Sequence, residues 1–437
     1  MRRIITVLAL VALTPPAVAY ADSTPGTTTL VSFEPDGVTP SHGSSGEPSI
    51  SADGRFVAFT SDSPGLVPGD TNRATDVFVR DRQTGVTTRV SVSSTGAQAD
   101  NVSQAPSISG DGRYVVFSSY ASNLVPGDTN RRSDVFLHDT QTGTTSKISV
   151  GSVGDQANSG SYRPVISTDG LFVAFESDAS NLIAHDDNGQ SDIFEYSRQW
   201  NTLSRVSVDA NGLESNGLSW QPSISADGRY VSFASEASNL VLGDTNHYGD
   251  VFVHDRLDSR TERVSIGAGG AQGDSVSRFA RISGDGRWVV YISYASTLVP
   301  GDTNDENDIF LYDRETSTTT RIDLDPAGQQ LRHGTTTNIF PAISTDGRFV
   351  AYESAMDELV PGDHNYAGDV YLWDRATATT SWASVATDGA LGDYGSFEPA
   401  FSADGRHLAF ASTAKNFVPG VSEFGLSSNV YVRELAG

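Results

Sequence analysis

The sequence predicts an all-β fold, a seven-bladed β-propeller of four-stranded antiparallel blades, on three observations. A Ser-x-Asp-Gly signature recurs at Gly54, Gly112, Gly170, Gly228, Gly286, Gly347 and Gly405, with spacings of 58, 58, 58, 58, 61 and 58 residues. A fixed period of that size marks a repeat architecture. Each copy carries short runs of alternating β-branched and aromatic residues, and none carries a convincing amphipathic helix. Last, the seventh copy stops after its third run, residues 429–434, while residues 27–33 resemble a fourth run that lacks the first three. A solenoid would need capping repeats, whereas these ends complement one another. The N-terminal strand is therefore expected to complete the last blade and close the ring, which removes the exposed edges of an open array.

Taken in order, Met1-Arg2-Arg3, an apolar run from Ile4 to Leu13 and the small residues around Ala19-Tyr20-Ala21 read as a secretory signal peptide, residues 1–21. That run is shorter than the roughly 20 residues a membrane span needs. Residues 22–437 read as a single propeller domain, secreted to the cell envelope or medium and monomeric. In the first blade, residues 48–51 form a first strand leading into Asp53-Gly54, whose glycine supplies the positive φ of a tight turn. Residues 55–61 form the second strand and 76–81 the third. Gln83-Thr84-Gly85 then turns the chain into a fourth strand over residues 87–92.

The chain has 29 Lys+Arg against 54 Asp+Glu, a net charge of −25 that becomes −27 once Arg2 and Arg3 leave with the leader. So acidic a surface argues against nucleic acid and anionic membranes as partners. Cysteine is absent, so neither a disulfide nor a lipidated cysteine contributes, and stability must come from core burial.

The Ser-x-Asp-Gly-Arg-x-Val-x-Phe core, followed by Asp76-Val-Phe-Val-Arg-Asp81, resembles the WD40-like, TolB-type propeller repeat found in exported bacterial proteins. The resemblance covers residues 27–435. It implies recognition of proteins or polymers more often than catalysis, although related propellers include lyases and peptidase-gating domains. The chain departs from TolB itself in having seven copies and no additional N-terminal α/β domain, so TolB's role at the outer membrane does not carry over.

An Asp-x-Asn-x-x-x-Asp frame sits between second and third strands in six copies, at Asp70/Asn72/Asp76, Asp128/Asn130/Asp134, Asp186/Asn188/Asp192, Asp244/Asn246/Asp250, Asp302/Asn304/Asp308 and Asp363/Asn365/Asp369. Oxygen ligands at alternate positions of a tight loop are how calcium is wrapped. The fifth position is Ala74, Arg132, Gln190, Tyr248, Glu306 and Ala367, however, so only one copy adds a carboxylate. The frames therefore read mainly as Asx-turns that seat the third strand. Asp302, Asn304, Glu306 and Asp308 are the one calcium candidate, and no cofactor is required.

Catalytic motifs are missing: there is no Gly-x-Ser-x-Gly elbow, no His-Glu-x-x-His and no cysteine nucleophile. The informative positions are those where the copies diverge. Just before the predicted first strand the aligned pairs are Gly46-Glu47, Gln104-Ala105, Tyr162-Arg163, Trp220-Gln221, Arg278-Phe279, Ile339-Phe340 and Phe397-Glu398. Arg281 adds a cation where other copies mostly have Ser or Ala. Such residues are expected to ring the channel mouth or to wedge between blades. Tyr162, Arg163, Trp220, Gln221, Arg278, Phe279, Arg281, Phe340 and Phe397 are the candidate ligand-binding set. They point to a binding module for an extracellular protein or polysaccharide. A polysaccharide lyase or hydrolase at the same mouth and a calcium-tuned structural surface protein are the alternatives.

Overall fold

A computed structural model describes residues 26–37, 39–151, 154–331, 340–362, 367–418, 421 and 427–435. The expected leader lies outside the described residues, as do Ile339 and the Asp363/Asn365 part of the sixth frame. The chain forms seven four-stranded antiparallel sheets arranged as blades around a channel. The first blade is Ser45–Ile50, Phe56–Ser61, Asp76–Asp81 and Val86–Arg89, paired in chain order. Six sheets follow that order. The seventh pairs Thr28–Leu30 with Asn429–Glu434, its outer edge thus supplied by the N-terminal strand. The only helical turn among the described residues is Ala268–Gly270.

The repeat signature is explained by packing between blades. In each copy the first-strand serine, Ser51 for example, donates to Asp53, and the Asp53 carboxylate accepts from the Arg55 N–H, which fixes the hairpin. The glycine of each turn has φ near +70°, and in all but the seventh blade, where Gly405 faces open space, it lies on the aromatic ring that opens the preceding blade's second strand. Gly286 rests on Tyr230 and Gly347 on Trp288, where a Cβ would overlap the ring. Arginines flank those rings. Tyr114 has Arg113 at 4.8 Å and Arg198 of the next blade at 3.8 Å, and Trp288 has Arg287 at 4.8 Å and Arg375 at 4.1 Å. Each blade also holds one stacked ring pair between its second and third strands, such as Phe59–Phe78 and Tyr352–Tyr371, with centroids 5.8 and 6.1 Å apart.

First strands begin earlier than expected, and this moves the candidate site. The strand is Ser45–Ile50, not residues 48–51, because a β-bulge at Glu47-Pro48 lets pairing continue past it. Six of the seven divergent pairs therefore sit inside the innermost strands; in the sixth blade Phe340 precedes the short strand Ala342–Ile343, which has no bulge. In those six the second member is the bulge residue, held at left-handed φ: 49° at Glu47, 48° at Arg163, 57° at Gln221 and 58° at Phe279. Alternation alone does not mark a bulge.

Candidate functional site

The channel has two unlike ends. Where the first strands run into the Asp-Gly turns, small residues close in and backbone hydrogen bonds pass from blade to blade. Ala52 N donates to Gly110 O, Gly110 N to Thr168 O, Ala226 N to Gly284 O, and Asp404 N back to Ala52 O, all within 3.0 Å. Above this ring, Ile50, Ile108, Ile224, Ile282, Ile343 and Phe401 line a cavity of about 180 Å³. This end is a plug.

At the mouth, side chains from the preceding blade accept from several of the bulge N–H groups. Glu398 accepts from Glu47 N at 2.6 Å, Glu47 from Ala105 N at 2.8 Å, and Gln221 from Phe279 N at 3.2 Å. In the third blade the bulge residue is Arg163. There Glu176 of the second strand substitutes, accepting from Gln221 N at 2.9 Å with one oxygen and pairing with Arg163 at 2.7 Å with the other. Glu47, Glu176 and Glu398 are mouth residues outside the candidate set. Glu47 and Glu398 stand in the aligned pairs and Glu176 does not, and a recurrent acceptor at a bulge shows only once neighbouring blades are in place.

Tyr162, Arg163 and Trp220 come together with Gln104, Tyr120, Glu176, Asp178 and Leu218 around a cleft of about 500 Å³ between the second, third and fourth blades. Tyr120 is 40% exposed, and Tyr162 and Trp220 are half-buried. Burial pushes the Tyr162 hydroxyl above its ordinary value, with Tyr120 and Asp178 adding to the effect. Gln221 is buried beside this cleft as an acceptor. Phe279 and Phe340 meet edge to face at 5.0 Å, away from it, and thus wedge between the fifth and sixth blades. Phe397 is half-buried in the seventh blade.

Across the mouth lies an acidic sector. Burial, with Glu398 beside it, pushes the Glu353 carboxyl up to about 7. Burial also raises Glu398, against the hydrogen bond from Glu47 N. The candidate metal residues belong to a different environment. Asp302 and Asp308 bracket the Arg321 guanidinium at 3.2 and 2.6 Å, while Asn304 donates to Asp308 and accepts from Glu306 N. A fourth-strand cation fills four other frames as well: Arg89, Lys147, Arg205 and Arg263 lie between the first and last aspartates of theirs, whereas the sixth blade has Trp382 at that position. Asp186, Asp192 and Glu214 stand close enough to share a metal ion, yet Arg205 contacts all three. Five of the six frames are thus neutralised from within the chain.

No family model matches the sequence, and no curated protein matches it. Among solved structures, an oligogalacturonate lyase in complex with manganese is 14% identical over 94% of this chain and 98% of its own, with a TM-score of 0.53. The propeller domain of the trilobed protease from Pyrococcus furiosus is 11% identical over 85% and 91%, with a TM-score of 0.52. TolB from Acinetobacter baumannii is 15% identical over 70% of this chain and 58% of its own, with a TM-score of 0.39. The likeness is one of fold. What it shows is the β-propeller fold. Among the described residues no helix is long and apolar enough to cross a membrane.

Proposed function

We propose that this protein is an exported, non-catalytic binding module that holds a polysaccharide in the cleft between the second, third and fourth blades. The observation that carries the reading is the wall of Tyr120, Tyr162 and Trp220. Three aromatic faces around one concave site offer flat apolar surfaces for sugar rings, and Gln104, Asp178 and the Arg163–Glu176 pair offer hydroxyl-bonding groups at the rim. Concavity and mixed polarity favour a glycan chain over a flat protein surface. A glycan array read with wild type and Trp220→Ala tests this. Binding of one glycan class by wild type, weakened at least about tenfold in the variant, supports the reading; unchanged binding by the variant removes the cleft from it.

One observation favours a second reading, a lyase or hydrolase. Glu353, pushed up to about 7 beside Glu398, has the properties of a general acid that keeps its proton near neutrality. Release of reducing or unsaturated ends from a bound glycan, abolished in Glu353→Gln, would establish catalysis. Calcium tuning of the Asp302 loop requires the ion to compete with Arg321. A rise in melting temperature on adding calcium to chelator-treated protein would show that it does.

A further inference from the structure

We propose that the inner strand of the fifth blade carries an oxyanion site, formed by Arg278 and Arg281, that takes a carboxylate or sulfate group entering the channel from the mouth. This goes beyond the cleft reading and does not rest on it. The fifth blade departs from its neighbours on this strand. Arg281 stands where the others have Ser49, Ser107, Val165, Ser223, Ala342 and Ala400, and Ala280 stands where the others have proline. The bulge between the two arginines matters here. Arg278 pairs with Ile292 and Arg281 with Val290, so both side chains leave the same face of the blade, one behind the other from the mouth inward.

Neither guanidinium has a carboxylate partner among the described residues. Arg281 donates only to the carbonyl of its neighbour Ala280, at 3.0 Å. Arg278 lies over the rings of Phe279 and Tyr294, and its buried Nε has no hydrogen-bond partner. Five arginines elsewhere, Arg55, Arg113, Arg229, Arg287 and Arg348, are paired with the aspartate ending the third strand, and others such as Arg198, Arg375 and Arg433 donate to backbone carbonyls of other strands or turns. In a protein of net charge −25, two unpaired arginines on one face are not explained by a shortage of acids. Arg281 is half-buried on the inner strand, where burial first and then the charge of Arg163, two blades away, work against its protonated form. A guanidinium so placed costs stability until an oxyanion accepts its fork of N–H donors.

The test uses the whole protein and the Arg281→Ser variant, which restores the residue of the first, second and fourth blades and so fits the fold. Sodium sulfate and sodium acetate are titrated at ionic strength held constant with chloride, and the melting temperature is read. The wild type should rise with sulfate, acetate or both, and the rise should fall at least about tenfold in apparent affinity in Arg281→Ser. The difference between sulfate and acetate identifies the preferred oxyanion. Without either anion, Arg281→Ser should melt above the wild type, because the uncompensated charge is gone. Equal stabilisation of both proteins would mean general salting-out and would overturn the site, as would a variant that melts lower under every condition. Arg278→Gln provides a second reading of the same site, with an intermediate loss expected.

Discussion

The two ends of the inner hairpins follow different rules. At the Asp-Gly end the blades share one solution, a serine-aspartate turn in all seven, a glycine on the neighbour's ring in six and a paired arginine in five. At the mouth the blades diverge, with aromatic, acidic, amide and basic residues at one bulge position. Their acids respond in opposite directions. The Arg55 and Arg113 guanidiniums hold the Asp81 and Asp139 carboxyls down at about 2, whereas burial beside Glu398 lifts Glu353 to about 7. The regular end uses charge to hold the fold together, and the irregular end keeps charges that do not help it. Sites that give up stability in this way are where binding and chemistry concentrate.

The largest effect should come from opening the ring. Deleting residues 22–33 removes Thr28–Leu30, the strand's ladder with Asn429–Glu434, and the buried Leu30 and Val31. Two such side chains and their hydrogen bonds amount to about 5 kcal/mol. The deletion should therefore lower the melting temperature sharply, and an unchanged value would refute closure by this strand.

Next come substitutions that set the two ends against each other. Gly286→Ala must place a methyl at φ +72° against the Tyr230 ring, and should cost about 2–4 kcal/mol in chemical denaturation. Trp220→Ala, at the mouth, should cost about half of that while losing glycan binding. If the two changes were equally destabilising, the division between a structural end and a functional end would fail.

This division also explains what the sequence could show. Repetition is legible because Gly54, Gly112 and their counterparts in all but the seventh blade face the same ring contact, so the ruler of 58 residues and the orphan strand at residues 27–33 lead directly to a closed propeller. The bulge was not legible, since the pairing of Gly46 with Thr60 and of Ser49 with Ala58 follows from the partner strand. Tyr162 and Trp220 stood out as departures from the repeat, but Glu176 did not, because a glutamate in a second strand means little until Arg163 and Gln221 are placed around it. The Asp-x-Asn frames posed the reverse difficulty. Their cation is a fourth-strand residue such as Arg321, about twenty positions away in sequence and invisible to a local motif.

The pH dependence should separate the two ends by sign. Glu353 binds its proton more tightly folded than unfolded, so its favourable contribution is complete below the ordinary value of 4.5 and is lost as pH rises towards 7. Glu353→Gln should accordingly gain on the wild type between pH 5 and pH 8, by about 2–4 °C at the upper end. Asp139 behaves oppositely: its contribution is present above 3.8 and lost as pH falls towards 2. Asp139→Asn should therefore lose stability at pH 7 and converge on the wild type in acid. Parallel curves for the two variants would remove the electrostatic contrast.

The smallest effect concerns the bulge itself. Ala105 holds φ at 52° while its N–H donates to Glu47, and its own side chain supplies nothing to the next blade. Ala105→Gly keeps the hydrogen bond and relieves the left-handed conformation, at the expense of a more flexible unfolded chain. The balance should be a gain of less than about 1 kcal/mol, read by denaturant titration. At Arg163 the same substitution would also break the pair with Glu176, so its outcome should be a loss. A gain at both positions would mean that the mouth residues contribute nothing to the bulges that carry them, and a loss at both would mean that the left-handed φ is not a source of strain.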